Sequence, residues 1–392
     1  MEDKNHKRLG NPMSLGFLGG SVYSNIGYTH FCASGLDGLW RLKAGSLSRD
    51  NNKNSNSGKI YNICDQRIYS NWKEMLEKEV GDLDAVVILS PSNLHFEMVE
   101  YALKLNYPVI CEKPLASNLN ELEVIINLQK NLNAFIAVTY NYTGYPMIRL
   151  LKKIISDYIL GEIFHFQIEM PQETYLRCDS NNNPFFVEDW RKKDHNTPTI
   201  NFDLAVHMHQ IIFYLLGEYP KSVVAHEKNH NKNFDIIDNV NCLTEYSNGL
   251  DGHFWWSKSS LGNRNGLKIR IFGSEGSACW VQEKPELLYV SYKDGRKETI
   301  DRGDSRYSNF MKTYHRFKAG HPSGFVEAFA NIYKDLYICL NQFLSEKDFS
   351  SKELFGTNMS KRELMFFNAI KKSIETRSFV DVICNSQSII NN

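Results

Sequence analysis

The chain has no excess charge of either sign, because its 392 residues contain 45 Lys and Arg against 45 Asp and Glu. Nucleic-acid binding usually requires a basic surface, so we expect no nucleic-acid partner. Long apolar runs are also missing: residues 211–216 form one of the longest, and such a run is far too short to cross a bilayer. The charged residues 1–8 do not resemble a secretory signal. We therefore expect no membrane partner either.

The eight cysteines include no Cys-x-x-Cys pair. Scattered cysteines in a chain of this length are typical of reduced, mostly buried thiols, so we expect a cytoplasmic protein. Hydrophobic residues make up 42% of the chain, which is enough for two proper cores. A length of this order also predicts two domains. We place them at residues 1–143 and 144–392.

The first domain is predicted to contain a parallel sheet. Residues 85–89 are wholly apolar and mostly β-branched, as in a strand that is buried on both faces. The pattern further predicts a helix over 95–105, a strand over 108–110, a helix over 122–132 and a strand over 135–138. Strands that alternate with helices form βαβ units, so the fold class is α/β with an N-terminal Rossmann sheet.

The pattern changes after about residue 145. Residues 164–170 alternate between apolar and polar side chains, which is typical of a half-solvated strand. Asn248-Gly249 and Asp294-Gly295 each lie between strand-like runs and predict hairpin turns. We therefore expect an α+β second domain with a mostly antiparallel sheet.

Residues 16–27 combine a short apolar strand, a glycine turn and a helix start. Glycines let the backbone approach a pyrophosphate, and the helix N-terminus supplies N–H donors and the positive end of the helix dipole. The spacing is not a strict G-x-G-x-x-G, because Ser21 occupies the position of the second glycine, so a glycine turn without a ligand is an equal alternative. The dinucleotide interpretation assigns cofactor contacts to Gly19, Gly20, Ser21, Asn25, Ile26 and Gly27.

The end of the second strand, predicted over residues 39–47, is where the adenosine ribose of a dinucleotide is expected. A Ser48-Arg49 pair follows and can accommodate a 2′-phosphate, which favours NADP over NAD. In the alternative, Arg49 is a solvated loop residue and Asp50 binds the ribose of NAD. The polar, Asn-rich residues 51–58 then form a solvated loop or a helix start.

Two further loops, residues 90–95 and residues 111–114, follow predicted strands. Ligands of open α/β sheets bind outside the carboxyl ends of the strands. Lys113 precedes Pro114 and can hydrogen-bond a substrate hydroxyl and adjust its acidity. The alternatives are a plain Pro-containing turn at the first loop and an ordinary surface Glu-Lys pair at the second. The candidate cofactor contacts in these loops are Ser90, Pro91, Asn93, His95, Glu112 and Lys113.

Asp203 and His207 are four residues apart, so on a helix they share one face. A histidine can take a hydroxyl proton while hydride leaves carbon, and a nearby carboxylate can orient it or bind a second hydroxyl. The alternative is a helix N-terminal Asp and a packed His. His209 adds a His-x-His pattern, but positions two apart on a helix do not face each other, so we predict no metal site.

Taken in order, these motifs resemble those of the Gfo/Idh/MocA family of oxidoreductases, named after glucose–fructose oxidoreductase, inositol dehydrogenase and a rhizopine catabolism protein. The resemblance covers about residues 13–340. It depends on the joint order of Ile26-Gly27-Tyr28-Thr29-His30, Ser90-Pro91-Ser92-Asn93-Leu94-His95, Glu112-Lys113-Pro114, Asn141-Tyr142, Trp190-Arg191, Asp203-Leu204-Ala205-Val206-His207, Gly273-Ser274-Glu275-Gly276 and residues 320–331.

The resemblance implies an NAD(P)-binding Rossmann domain and a substrate-binding α+β domain with an open-faced sheet, often used to form a homodimer or homotetramer. It implies hydride transfer at a secondary hydroxyl or ketone of a sugar, nucleotide sugar or cyclitol. It casts Lys113, Asp203 and His207 as catalytic and substrate-binding, with His207 as acid/base and the other two positioning the reacting hydroxyl. It adds Asn141 as a cofactor contact and Tyr142, Trp190 and Arg191 as substrate contacts.

Three departures from the family pattern leave the identity of the substrate open, more than they do the type of reaction. Ala205 replaces the usual glycine, Thr143 replaces an arginine that often follows Asn-Tyr, and residues 196–202 replace a glycine-rich approach to Asp203. Two other functions compete: a dinucleotide-binding regulator without turnover, and a metal-dependent lyase or hydrolase using His207 and His209. The joint presence of the three catalytic candidates argues against the regulator.

Overall fold

The structure is a computed structural model that describes residues 10–184, 187, 192–194, 196–231, 235–314 and 316–383. The described residues form two compact units. The first joins the chain up to Tyr145 with Ser323–Lys361, and the second joins Pro146–Pro322 with the chain from Arg362 onward. The first division falls close to the predicted boundary at 143, whereas the return of Ser323–Lys361 to the first unit differs from the predicted division.

The described part of the first unit is built on a five-stranded parallel sheet. Its strands are β1 (Met13–Gly19), β2 (Trp40–Ser46), β3 (Ala85–Leu89), β4 (Val109–Glu112) and β5 (Ile136–Thr139). They lie in the order β2-β1-β3-β4-β5. Every residue of β3, β4 and β5 is buried, which explains why β3 is a continuous apolar run and why β4 and β5 are apolar up to their last residues, Glu112 and Thr139. The predicted Rossmann-type sheet is confirmed.

Helices connect these strands. Their bounds are α1 (Gly27–Gly35), α2 (Asn51–Ile60), α3 (Trp72–Lys78), α4 (His95–Lys104) and α5 (Leu119–Leu132). Helix α2 occupies the polar stretch for which a loop or a helix start was predicted. Its N-cap is Asp50, whose carboxylate accepts the backbone N–H groups of Asn52 and Lys53.

The second unit is built on a mixed, mostly antiparallel sheet. Its strands are β6 (Ile163–Pro171), β7 (Ser222–Lys228), β8 (Asn239–Glu245), β9 (Asp251–Ser257), β10 (Lys268–Gly273), β11 (Gly276–Val281), β12 (Leu287–Tyr292), β13 (Lys297–Asp301) and β14 (Val380–Asp381). In the described residues they lie in the order β13-β12-β11-β10-β6-β9-β8-β7-β14. Strands β6 and β9 pair in parallel, and the other neighbours pair antiparallel. Both predicted hairpins are confirmed.

Helices of the second unit cover one face of this sheet. They are α6 (Pro146–Ser156), which packs against β11 and β12, and α7 (Val206–Leu216), which packs against β6; α8 (Ser308–Met311) packs against α6. Phe166, Ile168 and Met170 of β6 are buried on one side, while the alternate residues 165, 167 and 169 are partly exposed. This alternation confirms the predicted open-faced sheet.

Helix α9 (Phe325–Glu346) returns the chain to the first unit. It packs against α1, and the indole Nε1 of Trp40 donates to the backbone oxygen of Tyr333 at 2.8 Å. A helix with one apolar side must cover a core, which accounts for the return of this segment. Helix α10 (Thr357–Thr376) follows, and the division between the two units falls within it.

Candidate functional site

The glycine turn follows the carboxyl end of β1. Gly19 and Gly20 have φ angles of +82° and +73°, in the left-handed region that favours glycine. A Cβ at Gly19 would lie 2.8 Å from the backbone nitrogen of Ser90, so this turn adjoins the loop after β3. Two of the loops predicted to bind cofactor are therefore neighbours at the edge of the sheet.

The helix start closes tightly on this turn. A Cβ at Gly27 would lie 2.1 Å from the backbone oxygen of Gly20, so this position accepts only glycine without a backbone shift. Ser24 Oγ accepts the N–H of Gly27 at 3.0 Å, and the buried Tyr61 hydroxyl donates to the Gly20 oxygen at 2.9 Å. Ile26, the N-cap residue of α1, makes no capping hydrogen bond with its side chain, and Ser24 binds the first N–H of the helix. The N–H groups of a first helical turn are the groups that bind a phosphate in dinucleotide-binding folds.

Among the other predicted contacts in this turn, Ser21 is buried, Ile26 is partly exposed and Asn25 is exposed. At the end of β2, the carbonyl oxygen of the Asn54 side chain accepts the N–H groups of Leu47 at 2.7 Å and Ser48 at 3.3 Å. The backbone before Arg49 is thus fixed.

The loop after β3 carries Ser90, Pro91 and Asn93, which are partly or fully exposed, and His95, which is buried. The His95 imidazole lies 2.6 Å from the Pro114 oxygen through Nδ1 and 2.9 Å from the Ser90 oxygen through Nε2. Burial lowers the pKa of His95. The ring therefore lies between the loops after β3 and β4, and the neutral imidazole donates its one N–H to one of the two carbonyl oxygens.

Glu112 and Lys113 end β4, and the Lys113-Pro114 peptide is cis. The Glu112 carboxylate is buried, bonds to His30 Nε2 at 3.1 Å and accepts the Thr139 hydroxyl. Burial opposes its ionisation, but the His30 hydrogen bond and the charge of Lys113 lower the pKa of Glu112 to about 2. The Glu112 side chain thus belongs to a buried polar network beneath the edge of the sheet.

Asn141 and Tyr142 lie in a short turn after β5, and both are buried. The Nδ2 atom of Asn141 has no hydrogen-bond partner among the residues that the structure describes. A buried amide without a partner is costly unless a ligand or water supplies one. The glycine cradle, the N-terminus of α1 beside it and this amide all fit a dinucleotide at the carboxyl end of the sheet.

In the second unit, Asp203 lies in a π-helical turn, Asn201–Ala205, that leads directly into α7. His207 is the second residue of α7, and it is buried with a relative exposure of 6%. A π-turn differs from the regular helix assumed for this pair, and such turns are frequent at functional sites. The Asn201 side-chain oxygen accepts the indole N–H of Trp256 at 3.0 Å, which ties the turn to β9.

Lys258 pairs with Asp203, and sequence reasoning missed this residue. Its Nζ donates to Asp203 Oδ2, and the two side chains are only 5% and 9% exposed. The same Nζ lies 5.3 Å from the centre of the Tyr175 ring. The only signal in the sequence is a lysine, Lys258, that directly follows the strand containing Trp255 and Trp256.

His209 faces a different environment from His207. Its ring packs against Tyr219 and Phe366, with ring centres 6.0 and 4.9 Å away. Burial, with the charge of Arg362, lowers the pKa of His209 to about 3. Within the described ranges, no group of three or more His, Cys, Asp or Glu is arranged to hold a metal ion.

Two predicted substrate contacts, Trp190 and Arg191, lie outside the described residues. Lys113 belongs to the first unit, and Asp203 and His207 belong to the second. Among the helices described, none is long and apolar enough to cross a membrane.

Comparison with known proteins gives the family. Residues 44–140 match the profile of an oxidoreductase family with an NAD-binding Rossmann fold, and residues 148–279 match the GFO/IDH/MocA C-terminal domain. The uncharacterized oxidoreductase YfiI of Bacillus subtilis is 26% identical over 347 residues, which cover 85% of this chain and 86% of that protein. Levoglucosan dehydrogenase of Pseudarthrobacter phenanthrenivorans is 26% identical over 57% of this chain and 61% of that enzyme.

The fold is also that of a solved structure, an inositol dehydrogenase homologue from Azotobacter vinelandii complexed with NADH and myo-inositol. It aligns with a TM-score of 0.87 and 24% identity over 96% of this chain and 99% of that chain. The two profile matches fall on the two sheets in the order predicted from the motifs. The chain belongs to the Gfo/Idh/MocA family of NAD-binding oxidoreductases.

Proposed function

We propose that this enzyme transfers a hydride between NAD(P) and a secondary hydroxyl or ketone of a sugar, nucleotide sugar or cyclitol. The observation that carries the proposal is the presence, at the start of α7, of the buried His207 imidazole and of the Asp203 carboxylate, whose side chain is 9% exposed. An acid/base group and a hydroxyl-binding carboxylate are what oxidation of a secondary alcohol requires. The names of its relatives, which include levoglucosan and myo-inositol, support this substrate class.

Each candidate residue has a distinct role in this proposal. The bound nicotinamide supplies the hydride acceptor or donor. His207 takes the proton of the reacting hydroxyl, or returns it when a ketone is reduced. The Lys113 ammonium donates a hydrogen bond to the reacting oxygen and stabilises its developing negative charge. Asp203 binds and orients the reacting hydroxyl, and Tyr142, Trp190 and Arg191 are further substrate contacts.

Substitution of the two proton-handling residues tests this mechanism. Lys113→Ala and His207→Ala should each lower kcat by about 10²–10⁴-fold, the usual contribution of a positioned acid or base. The dissociation constant of the cofactor should change little in either variant. Lys104→Ala is the control, because Lys104 is an exposed lysine that pairs with Glu100 on α4. Wild-type turnover in both test variants would remove the mechanism.

We further propose that the enzyme prefers NADP. The Asp50 carboxylate oxygen Oδ1 already accepts the N–H groups of Asn52 at 2.9 Å and Lys53 at 3.0 Å, so Asp50 serves as a helix cap. That use leaves Ser48 and the exposed Arg49 as the groups to meet a 2′-phosphate.

The ratio of kcat/KM for NADPH and NADH tests this preference. Arg49→Ala should reduce NADPH use by about 10–100-fold, which is the loss of one charge-assisted hydrogen bond, and leave NADH use unchanged. A wild-type preference for NADH, together with a loss of NADH use in Asp50→Ala, would assign the ribose to Asp50 instead.

We also propose that the enzyme is a homodimer or homotetramer that associates through the open face of the second sheet. A row of neighbouring, partly exposed side chains crosses this face: Tyr289, Cys279, Arg270, Gln167, His253 and Leu243. Such a mixed apolar and polar row suits a contact with a second copy. The described cysteines are all free thiols, which fits the proposed cytoplasmic location.

A further inference from the structure

The π-turn that carries Asp203 is anchored to one strand by two side chains. Trp256 lies near the end of β9, and Lys258 directly follows Ser257, the last residue of that strand. Trp256 bonds to Asn201 at 3.0 Å, and Lys258 bonds to Asp203, the residue two positions further along the turn. Two side-chain hydrogen bonds therefore connect the end of the strand to the turn.

The backbone at Lys258 is fixed as well. Its N–H donates to the Asp238 oxygen at 2.8 Å, and its own oxygen accepts the N–H of Tyr175 at 2.9 Å. The ammonium group faces the Tyr175 ring on one side and the Asp203 carboxylate on the other. A lysine side chain has considerable rotamer freedom, and these contacts remove most of it. Lys258 therefore presents its charge at a fixed point.

We propose that Lys258 is a positioning residue for the dehydrogenase reaction, holding the Asp203 carboxylate ionised and in one orientation. This inference rests on the proposed function, in which Asp203 binds the reacting hydroxyl. A buried carboxylate that is paired with a buried ammonium does not readily take up a proton. The proton of the substrate hydroxyl therefore goes to His207, and Asp203 only orients the hydroxyl.

A double-mutant cycle tests whether Lys258 acts through Asp203. Lys258→Met removes the charge and keeps the length of the side chain, and should lower kcat by about a hundredfold, because misplacement by about 1 Å has that effect. Lys258→Arg should recover most of the loss. In the Asp203→Asn background, Lys258→Met should have almost no further effect, because the carboxylate it positions is gone.

The readouts separate positioning from general damage. The dissociation constant of NADH, followed by its fluorescence, should be the same in Lys258→Met and wild type. Lys268→Met is the control, because it removes another lysine from the second sheet, one that lies 3.9 Å from Glu169. It should leave kcat unchanged. An unchanged kcat in Lys258→Met, or an equal loss with and without Asp203, would overturn the proposal.

Amide hydrogen exchange provides a measurement that needs no substrate. Peptides covering residues 201–207 should exchange faster in Lys258→Met than in wild type, and Lys258→Arg should restore the slow exchange. Equal exchange in Lys258→Met and wild type would also overturn the proposal. Failure of the proposed function is a separate outcome, seen as wild-type turnover in Asp203→Asn and His207→Ala.

Discussion

At position 27, one methyl group decides whether the glycine turn can close. Gly27→Ala places a Cβ 2.1 Å from the Gly20 backbone oxygen, so the turn must open. Overpacking of this kind costs about 1–3 kcal/mol, and we expect the cofactor dissociation constant to rise at least about tenfold. Fluorescence titration with NADH and NADPH measures the change.

Gly35→Ala is the matched control for this prediction. Gly35 ends the same helix, and a Cβ there would meet nothing within 4 Å. Alanine should be neutral there, or stabilise the helix by up to about 1 kcal/mol, with no change in cofactor affinity. Equal cofactor affinity in the two variants would show that the Gly20–Gly27 approach does not shape the cofactor site.

His209 should make the enzyme sensitive to acid. Because burial lowers the pKa of His209 to about 3, the folded protein does not take up the proton that the unfolded chain binds near about pH 6.5. Above about pH 6.5 the neutral His209 costs the folded protein nothing. As the pH falls from there toward about 3, protonation of His209 in the unfolded chain lowers the free energy of unfolding by up to about 1.4 kcal/mol per pH unit.

His209→Phe tests this linkage and keeps an aromatic ring against Tyr219 and Phe366. The thermal midpoint should fall less steeply between about pH 6 and pH 4 in the variant than in wild type. Parallel curves would mean that His209 is not a source of the acid sensitivity.

At the level of elements, helix α9 supports the turn that carries Asn141 and Tyr142. Asn331 is 1% exposed, and its Nδ2 donates to the backbone oxygen of Gly144 at 2.7 Å. Asn331→Ala leaves this oxygen without that donor, which costs about 1–3 kcal/mol. We expect a lower thermal midpoint and weaker cofactor binding, measured by calorimetry and fluorescence titration.

Asn341→Ala provides the comparison on the same helix. The Asn341 amide bonds one turn back, to the Tyr337 oxygen at 2.9 Å, and among the described residues it bonds to no other element. Cofactor binding should be as in wild type. A weaker affinity in this variant, equal to that of Asn331→Ala, would contradict a specific role of the α9 contact.

The strands of the first sheet were predictable from sequence, whereas helix α2 was predicted only as a loop or a helix start. Strand β3 is buried on both faces, so its continuous apolar run predicts a buried strand directly. Helix α2 has the sequence Asn-Asn-Lys-Asn-Ser-Asn-Ser-Gly-Lys-Ile, without an apolar stripe. It is held by the Asp50 cap and by buried polar residues such as Asn54, which bonds to the backbone after β2. Such long-range polar contacts leave no periodic signal.

The site was predictable as a motif and not as a set of contacts. The spacing of Asp203 and His207 could be read directly, because it is local. The partner of Asp203 could not, because Lys258 lies 55 positions further along the chain. His95 and Glu112 stay predicted cofactor contacts, and the sequence did not indicate that their side chains engage Pro114, Ser90, His30 and Thr139. Spacing in sequence does not reveal which way a side chain points.

At the level of the whole molecule, the open sheet face should control assembly. Leu243 on β8 is 51% exposed and pairs across the strands with His253. Leu243→Glu would place a charge in the proposed contact, where it would lose solvation, and should convert a dimer or tetramer into monomers. Light scattering after size exclusion measures the mass.

Leu261→Glu is the control for assembly, because Leu261 is 64% exposed and lies outside the strands. Its mass should equal that of wild type. A wild-type monomer, or an unchanged oligomer in Leu243→Glu, would exclude this face as the contact.

The central claim is that this member of the family turns over a sugar or cyclitol with a nicotinamide cofactor. The most direct measurement is the absorbance of reduced nicotinamide, with NAD and NADP each tested against a panel of sugars, nucleotide sugars and cyclitols. We predict reduction with at least one substrate, undiminished by a chelator and lost in His207→Ala. A protein that binds the cofactor tightly and reduces it with no member of the panel would contradict the account.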